Sequence, residues 1–540
     1  MTDKEFQNPA DLVQLLRRNA GEHPDRIAVR VAGQPGLTWS EVDERASSVA
    51  GVLAKCSEPG DRVALQFPTD ADFLPALFGC WYAGTVAVPV PPGRAGEKAV
   101  QHAEPTMIVT IEDHVERLGD RGLTVGRAMA LGLTHSPGRA GHDVALLQYT
   151  SGSTGTPKGV VITHRNYLHN MRMAADLVRA FSPDVEVSQV VSWLPHFHDM
   201  GLAFLLFAAW QGGTATIIPP LSFLKDPGVW LRTISEVRGQ FTAAPNFAFD
   251  MCTRRVPAAK VAELDLSSLA VVLNAAEPVR AETVDRFAGH FAAAGFPVEA
   301  MAPTYGLAEA TVLVSGVRNG GPPSTVRFDR RALQTGTAVE NPVAGPLLVG
   351  CGRRVEGLSA RIVDPSTGVE RTPGCIGEIW LHGPNLSGGY WRDERSADTF
   401  GARIAGFDDR PYVRTGDLGF LYRDELFVIG RAADVIEQNG RCLQPEDIEF
   451  TIERSTPALN GRRCAVVPYG AGGDRLAVLA EIRLPLPLDP EQRVFIEVAI
   501  REAVRVEHDV EIARIEFVAT GAIPVTTSGK VRRTQARTKL

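Results

Sequence analysis

Between Thr150 and Gly159 the chain reads T-S-G-S-T-G-T-P-K-G. Glycines let a backbone approach a ligand closely and adopt positive φ. Hydroxyls and backbone N–H groups can then converge on phosphate oxygens, and Lys158 adds a positive charge. The chemistry such a loop offers is a grip on a polyphosphate. It is not a Walker A loop, because Pro157 precedes Lys158 and Gly159 stands where Ser or Thr is required. It is not a dinucleotide G-x-G-x-x-G either. A Gly/Ser stretch of this kind also composes a flexible solvent loop, and these residues alone leave both readings open. A second polar stretch, W-L-P-H-F-H-D-M-G-L at 193–202, holds His196 and His198. On a strand such a pair would share a face and could ligate a metal, but no third ligand is visible.

Elements of alternating type would have to position these stretches. Leu12, Val13, Leu15 and Leu16 fit one face of a helix, and Thr38 with Glu41 has the spacing of a capping box. "RVALQF" and "TVAVPVPP" read as buried strands beside glycine and proline. Apolar strands and amphipathic helices alternate past residue 300, the pattern of α/β layers with largely parallel sheets. "LGFLYRDELFVIG" then reads as a hairpin turning at Arg423–Glu425. The final "IPVTTSGKVRRTQARTKL" reads as a loop and a short basic tail.

A chain of 540 residues exceeds one hydrophobic core, so two or more domains are expected. The net charge of −7 supplies no global positive field for nucleic acid or an anionic membrane. Seven scattered cysteines with no C-x-x-C pair read as reduced thiols in a cytoplasm. The N-terminus lacks a basic-then-apolar signal layout. No run of about eighteen apolar residues occurs, so no membrane-spanning helix is expected.

The phosphate loop has company. "TYGLAEAT" at 304–311, "YVRTGDLG" at 412–419, "GRAADVIEQNGR" at 430–441 and "TTSGKVRR" at 526–533 follow it in order. That succession resembles the adenylate-forming superfamily, whose members activate a carboxylic acid with ATP. The resemblance implies a large N-terminal adenylation region of layered α/β sheets with a β-rich subdomain, here 1–430. It also implies a small mobile α+β lid domain, here 431–540. Thr150, Ser151, Ser153, Thr154 and Lys158 match the residues that hold the ATP phosphates. Thr304, Tyr305 and Gly306 match the segment beside adenine. Ala275, Ala276 and Glu277, in "NAAEP", match the adenine edge, with Ala275 where glycine is common. Glu309 matches the Mg²⁺ carboxylate, Asp417 the acid that accepts the ribose hydroxyls, and Arg431 a phosphate- or ribose-contacting arginine. Lys530 matches the catalytic lysine that bridges substrate carboxylate and α-phosphate on lid closure. Ala433 stands at the hinge position, where the family usually has Lys or Asp.

"LPHFHDMGL", "TAAPNFAFDMC" and "LNAAEPVR" resemble the fatty acyl-AMP ligase branch most. The resemblance places His198 near the reacting carboxylate. Trp193, Met200, Phe247 and Phe249 are expected to wall an alkyl tunnel, although each aromatic also reads as ordinary core. The segment from Glu309 to Gly352, with "STVRFDRRALQTGTAVENP", resembles the extra segment that this branch carries. There it is associated with an acceptor thiol on an acyl carrier protein, supplied in trans, in place of CoA. An acyl-CoA synthetase and a non-catalytic acyl-nucleotide-binding module are the other readings.

Overall fold

The computed structural model describes residues 9–150, 157–317, 321–407, 409–470, 473–526 and 529–540. Its two largest sheets are mostly parallel, as strands joined through helices must be. One has seven strands in the order Met301–Pro303, Val271–Asn274, Phe241–Ala244, Gln189–Ser192, Thr214–Ile217, Ile27–Val31, Gly36–Thr38. The other has six: Gly122–Leu123, Met107–Thr110, Arg62–Gln66, Val86–Pro89, Val144–Thr150, Lys158–Thr163. Its last pair is antiparallel and sets Thr150 opposite Lys158. The glycine-rich loop therefore leaves and re-enters the sheet at one rung.

Side chains on the seven-stranded sheet sort by period two. Val190, Phe241, Ala243, Leu273 and Ala302 join one core. Val191, Ala244, Val272 and Met301 join another. This is the alternation a strand buried on both faces requires. The helix Leu12–Glu22 and the Thr38–Glu41 capping box form as the sequence implies. So does the hairpin at residues 413–431, whose turn residues Arg423 and Asp424 both have positive φ. That turn belongs to a four-stranded antiparallel sheet, Ser359–Val363, Gly377–His382, Val413–Tyr422, Glu425–Arg431.

Beyond residue 435 a smaller sheet, Cys464–Tyr469, Arg475–Ile482, Ile512–Ala519, packs with helices Pro445–Arg454 and Pro490–His508. Its apolar residues gather into clusters of their own. Among the described residues, no apolar cluster draws members from both sides of residues 430–435. The stretch expected as a loop and a short basic tail contains a short helix, Arg533–Arg537, at whose start half-buried Arg533 is held by Glu449 and Asp434. Among the described residues no helix is long and apolar enough to cross a membrane.

Candidate active site

Asp417 lies on the strand Val413–Tyr422, directly opposite Arg431 on its neighbour. Arg431 Nε stands 2.8 Å from Asp417 Oδ1, and the Tyr305 hydroxyl donates to Asp417 Oδ2 at 2.6 Å. The bend that presents Asp417 is fixed from below. Buried Glu378 accepts from Arg414 at 2.8 Å and from the Gly416 N–H at 3.0 Å, and Gly416 takes the positive φ the bend needs. Burial, then the charge of Asp417, pushes the Tyr305 hydroxyl well above the usual phenol range, so it stays a donor. The same carboxylate raises Arg431 above its ordinary value. An ionised carboxylate has about four lone-pair sites, so two neighbours leave room for further donors.

Glu309 sits in the short turn after "TYGL". The Tyr390 hydroxyl donates to its Oε1 at 2.6 Å, and Lys158 Nζ lies 4.6 Å from the centre of the same ring. Tyr390 thus links the base of the phosphate loop to the acidic residue. Ser151, Ser153 and Thr154 lie outside the described residues. Two neighbouring backbones are strained: Ala276 has φ +70° and Thr311 has φ +63°. For residues with a Cβ this costs roughly 1–2 kcal/mol each, and such strain concentrates at functional sites.

A cavity opens beside this group. Ala275, Ala276, Thr304, Tyr305 and Gly306 line it, as do Met200, Phe204, Phe207, Phe241 and Leu273. Gly306 must be glycine, because a Cβ there would lie 1.8 Å from the Val312 carbonyl oxygen.

Of the expected tunnel walls only Met200 lines this cavity. Trp193 stacks on Phe223 at 3.9 Å and meets Phe247 edge-on. Phe249 is fully buried against Trp230 and Phe287. Trp193 and Phe249 belong to the core on the opposite sheet face from Phe241 and Leu273, and Phe247 packs against that core. Helix Asn246–Arg255, which carries Phe247 and Phe249, and Trp193, just past strand Gln189–Ser192, pack on that other face, which removes all three from the lining. His196 and His198 are not strand neighbours: His198 is the N-cap of helix Asp199–Gln211. His196 packs on Phe73 with ring centres 4.0 Å apart, and burial pushes its imidazole down to about 3, so it is neutral. Among the described residues no cluster of three or more metal-ligating side chains occurs.

Glu277 accepts the Phe247 N–H. Burial pushes its carboxyl up to about 7, with Glu446 adding to the rise and the Lys530 and Arg280 charges opposing it. Lys530, itself exposed, is thus within electrostatic range of Glu277. It ends a tight hairpin closed by the Thr526 N–H to the Lys530 carbonyl at 2.8 Å and by the Lys530 N–H to Thr526 Oγ1 at 3.1 Å. Sequence reasoning missed Tyr390, whose only signal is an aromatic after "SGG", and Arg280, which reads as a solvated helix-start charge.

A family described as AMP-binding enzyme matches residues 16–391. The chain is 36% identical over 536 residues to the medium-chain-fatty-acid–acyl-carrier-protein ligase JamA of Moorena producens (strain JHB), covering 93% of this chain and 89% of that protein. It is 35% identical over 531 residues to the long-chain-fatty-acid–AMP ligase FadD28 of Mycobacterium tuberculosis (strain ATCC 25618 / H37Rv), covering 92% and 90%. A crystal structure of fatty acyl-adenylate ligase from L. pneumophila, in complex with acyl adenylate and pyrophosphate, aligns with TM-score 0.76 and 31% identity over 100% of this chain and 97% of that one. A match of that length to the family, with relatives this similar along nearly the whole chain, makes the protein a member of the AMP-binding enzyme family.

Proposed function

We propose that this enzyme joins a fatty acid to AMP and passes the acyl group to the phosphopantetheine thiol of a holo acyl carrier protein supplied in trans. The observation that carries the reading is the make-up of one cavity. Its lining joins nucleotide-edge residues Ala275, Ala276, Thr304, Tyr305 and Gly306 to an apolar set, Met171, Leu177, Phe204, Phe207 and Phe241. The names of JamA and FadD28 support the same substrate class. Burying each methylene of an alkyl chain there is worth about 0.8 kcal/mol.

In the first step a carboxylate oxygen bonds to the α-phosphorus of ATP, and the bond to the bridging oxygen of pyrophosphate breaks. In the second the carrier's sulfur bonds to the acyl carbon, its thiol proton is lost and AMP leaves. The first step brings two anions together, so catalysis must neutralise charge and align the attack. Thr150, Ser151, Ser153, Thr154 and Lys158 hold the phosphates. Thr304, Tyr305, Gly306 and the Ala275–Glu277 backbone frame adenine. Asp417 takes the ribose hydroxyls while Arg431 balances its charge. Lys530 bridges carboxylate and α-phosphate, and His198, ahead of the helix bearing Met200, lies by the reacting end of the acid. Glu309, a hard oxygen donor oriented by Tyr390, fits Mg²⁺, which is held by one or two carboxylates plus substrate phosphates. When bound, Mg²⁺ supplies charge neutralisation on the phosphates.

The extra segment supports a carrier over CoA. Its strands Thr325–Arg327 and Leu347–Val349 flank the helix Arg330–Gln334. From that helix Arg330 reaches Glu507 at 2.9 Å and His508 Nδ1 at 3.1 Å on the small domain. Seven free cysteines suit a cytoplasmic setting.

The test is incubation with ATP, Mg²⁺ and a panel of acids from eight to eighteen carbons, then separate addition of CoA and holo carrier protein. Acid-dependent pyrophosphate release and acyl-carrier without acyl-CoA is the expected result. Acyl-CoA forming as readily would overturn the carrier assignment, and no pyrophosphate with any acid would overturn the activity.

A further inference from the structure

Charged pairs cross from the large lobe to the small domain at several points. They include Arg280–Asp447 at 2.7 Å, Arg330–Glu507 at 2.9 Å, Arg454–Glu282 at 3.6 Å and Arg254–Glu453 at 3.7 Å. The first differs from the others. It is the most shielded of the four, with side chains 17% and 29% exposed against 19% and 48% for Arg330–Glu507, 34% and 31% for Arg254–Glu453 and 59% and 45% for Arg454–Glu282. Exposed pairs contribute little, whereas shielded, multiply bonded ones hold geometry. Arg280 also donates from Nη2 to the Glu446 carbonyl at 3.2 Å and lies over the Phe450 ring at 4.6 Å. The guanidinium therefore grips the helix Pro445–Arg454 at its first turn, where the helix dipole favours acidic side chains such as Asp447.

The grip starts from a rigid base. The Arg280 N–H donates to buried Asn246 Oδ1 at 3.1 Å, and Arg280 is the N-cap of helix Ala281–Phe291. It lies four residues after strained Ala276, which lines the cavity.

The same helix holds the tail. Arg533, 13% exposed, places Nη2 2.7 Å and Nε 3.1 Å from Glu449, Nη1 3.1 Å from Asp434 and Nη2 3.7 Å from Glu446. Arg533 follows the Lys530 hairpin by three residues. A chain of contacts thus runs from Arg280 through Asp447, the helix Pro445–Arg454 and Glu449 to Arg533, three residues along the backbone from Lys530.

We propose that Arg280 is a positioning residue for acyl-adenylate formation: by clasping the first turn of helix Pro445–Arg454 it sets Lys530, tied to that helix through Arg533, over the cleft. The clasp belongs to the arrangement that makes the adenylate and is released when the small domain turns for acyl transfer. This rests on the acyl-adenylate reading above.

The test separates the two half-reactions. Arg280→Gln and the milder Asp447→Asn are compared with wild type in pyrophosphate release with ATP and dodecanoic acid. They are compared again in acyl transfer from supplied dodecanoyl-adenylate to a holo carrier protein. Thermal unfolding checks that each variant is folded. The expected result is kcat for pyrophosphate release down about 10- to 100-fold, KM for acid and ATP within twofold, and transfer unchanged or faster. The charge-reversed pair Arg280→Glu with Asp447→Arg should recover at least tenfold over either reversal alone. Both half-reactions falling together, a change confined to KM, or no recovery in the reversed pair would overturn the proposal while wild type remained active. Wild type forming no acyl-adenylate would instead sink the activity on which the proposal rests.

Discussion

Arg431 and Asp417 face each other on one rung of an antiparallel pair, Nε to Oδ1 at 2.8 Å, with Tyr305 closing the acid's other oxygen at 2.6 Å. The carboxylate is thereby fixed by groups from two different strands, and its charge is balanced before any nucleotide arrives. Replacing Asp417 by Asn keeps the shape but removes an acceptor and leaves Arg431 without its counter-charge. KM for ATP should rise roughly 10- to 100-fold, the loss of a charge-assisted hydrogen bond of about 1.5–3 kcal/mol. KM for the acid should hold, and steady-state kinetics with each substrate varied in turn reads both. An unchanged KM for ATP would remove Asp417 from the nucleotide.

Tyr390 binds Glu309 by its hydroxyl and Lys158 by its ring. Tyr390→Phe removes only the first contact and Tyr390→Leu removes both. Outer partners of a metal carboxylate typically matter by 10–100-fold. The Mg²⁺ concentration for half-maximal pyrophosphate release should rise about tenfold or more in the Phe variant. The Leu variant should also lose affinity for ATP. A Mg²⁺ titration that superimposes on wild type would mean Glu309 does not face the cation.

Lys530 is an exposed residue at the closing end of a hairpin, within electrostatic range of Glu277. Lys530→Ala should slow acyl-adenylate formation by roughly 10²–10³, the cost of losing one preorganised charge donor. Transfer from supplied acyl-adenylate should persist within a few fold. Rapid-quench measurement of the first turnover distinguishes the two, and near wild-type adenylation would be fatal to the assignment.

Ala174 lines the cavity from helix His164–Phe181. Ala174→Phe fills space that a chain would occupy. Each methylene excluded forfeits about 0.8 kcal/mol, near fourfold in affinity. The preferred acid should shorten by several carbons, while activity on the shortest acids survives. Competition among acids of eight to eighteen carbons, read by mass spectrometry of the acyl-carrier product, gives the shift. Phe249→Leu, on the other sheet face, should leave chain preference alone.

Glu277 gives a pH dependence of stability. Its folded carboxyl is pushed from 4.5 up to about 7, mainly by burial. The native state therefore holds this proton more tightly than the unfolded chain. The resulting stabilisation is complete below pH 4.5 and is lost as pH rises through 7. Glu277→Gln keeps the acceptor for the Phe247 N–H and cannot ionise. Its stability should fall less than wild type's between pH 5 and 8, by about 1–2 kcal/mol once partial exposure is discounted. Urea unfolding at pH 5, 6.5 and 8 measures the difference, and parallel curves would exclude the effect.

Local rules carried much of the fold. The Thr38–Glu41 capping box, the strands at 62–66 and 86–89 and the hairpin at 423–425 follow from short-range chemistry legible in a few residues. The alkyl walls did not, because Trp193, Phe247 and Phe249 look the same in sequence whichever face of the sheet they serve. Phe204, Phe207 and Phe241, which do line the cavity, carried no distinguishing pattern. Tyr390 and Arg280 act through partners more than eighty residues away in the chain, at Glu309 and Asp447, and no local spacing records such pairs.

The division of apolar clusters near residue 430 has an energetic consequence. Among the described residues, the buried oily side chains on either side cluster only with their own kind, so the turn of the small domain proposed above would uncover little of either core. What would resist that turn is a set of ion pairs, of which the exposed ones yield to water and dissolved salt while the shielded Arg280–Asp447 pair yields less. Added electrolyte should act as a lubricant for the swing, leaving each folded body intact while altering how briskly one slides across the other.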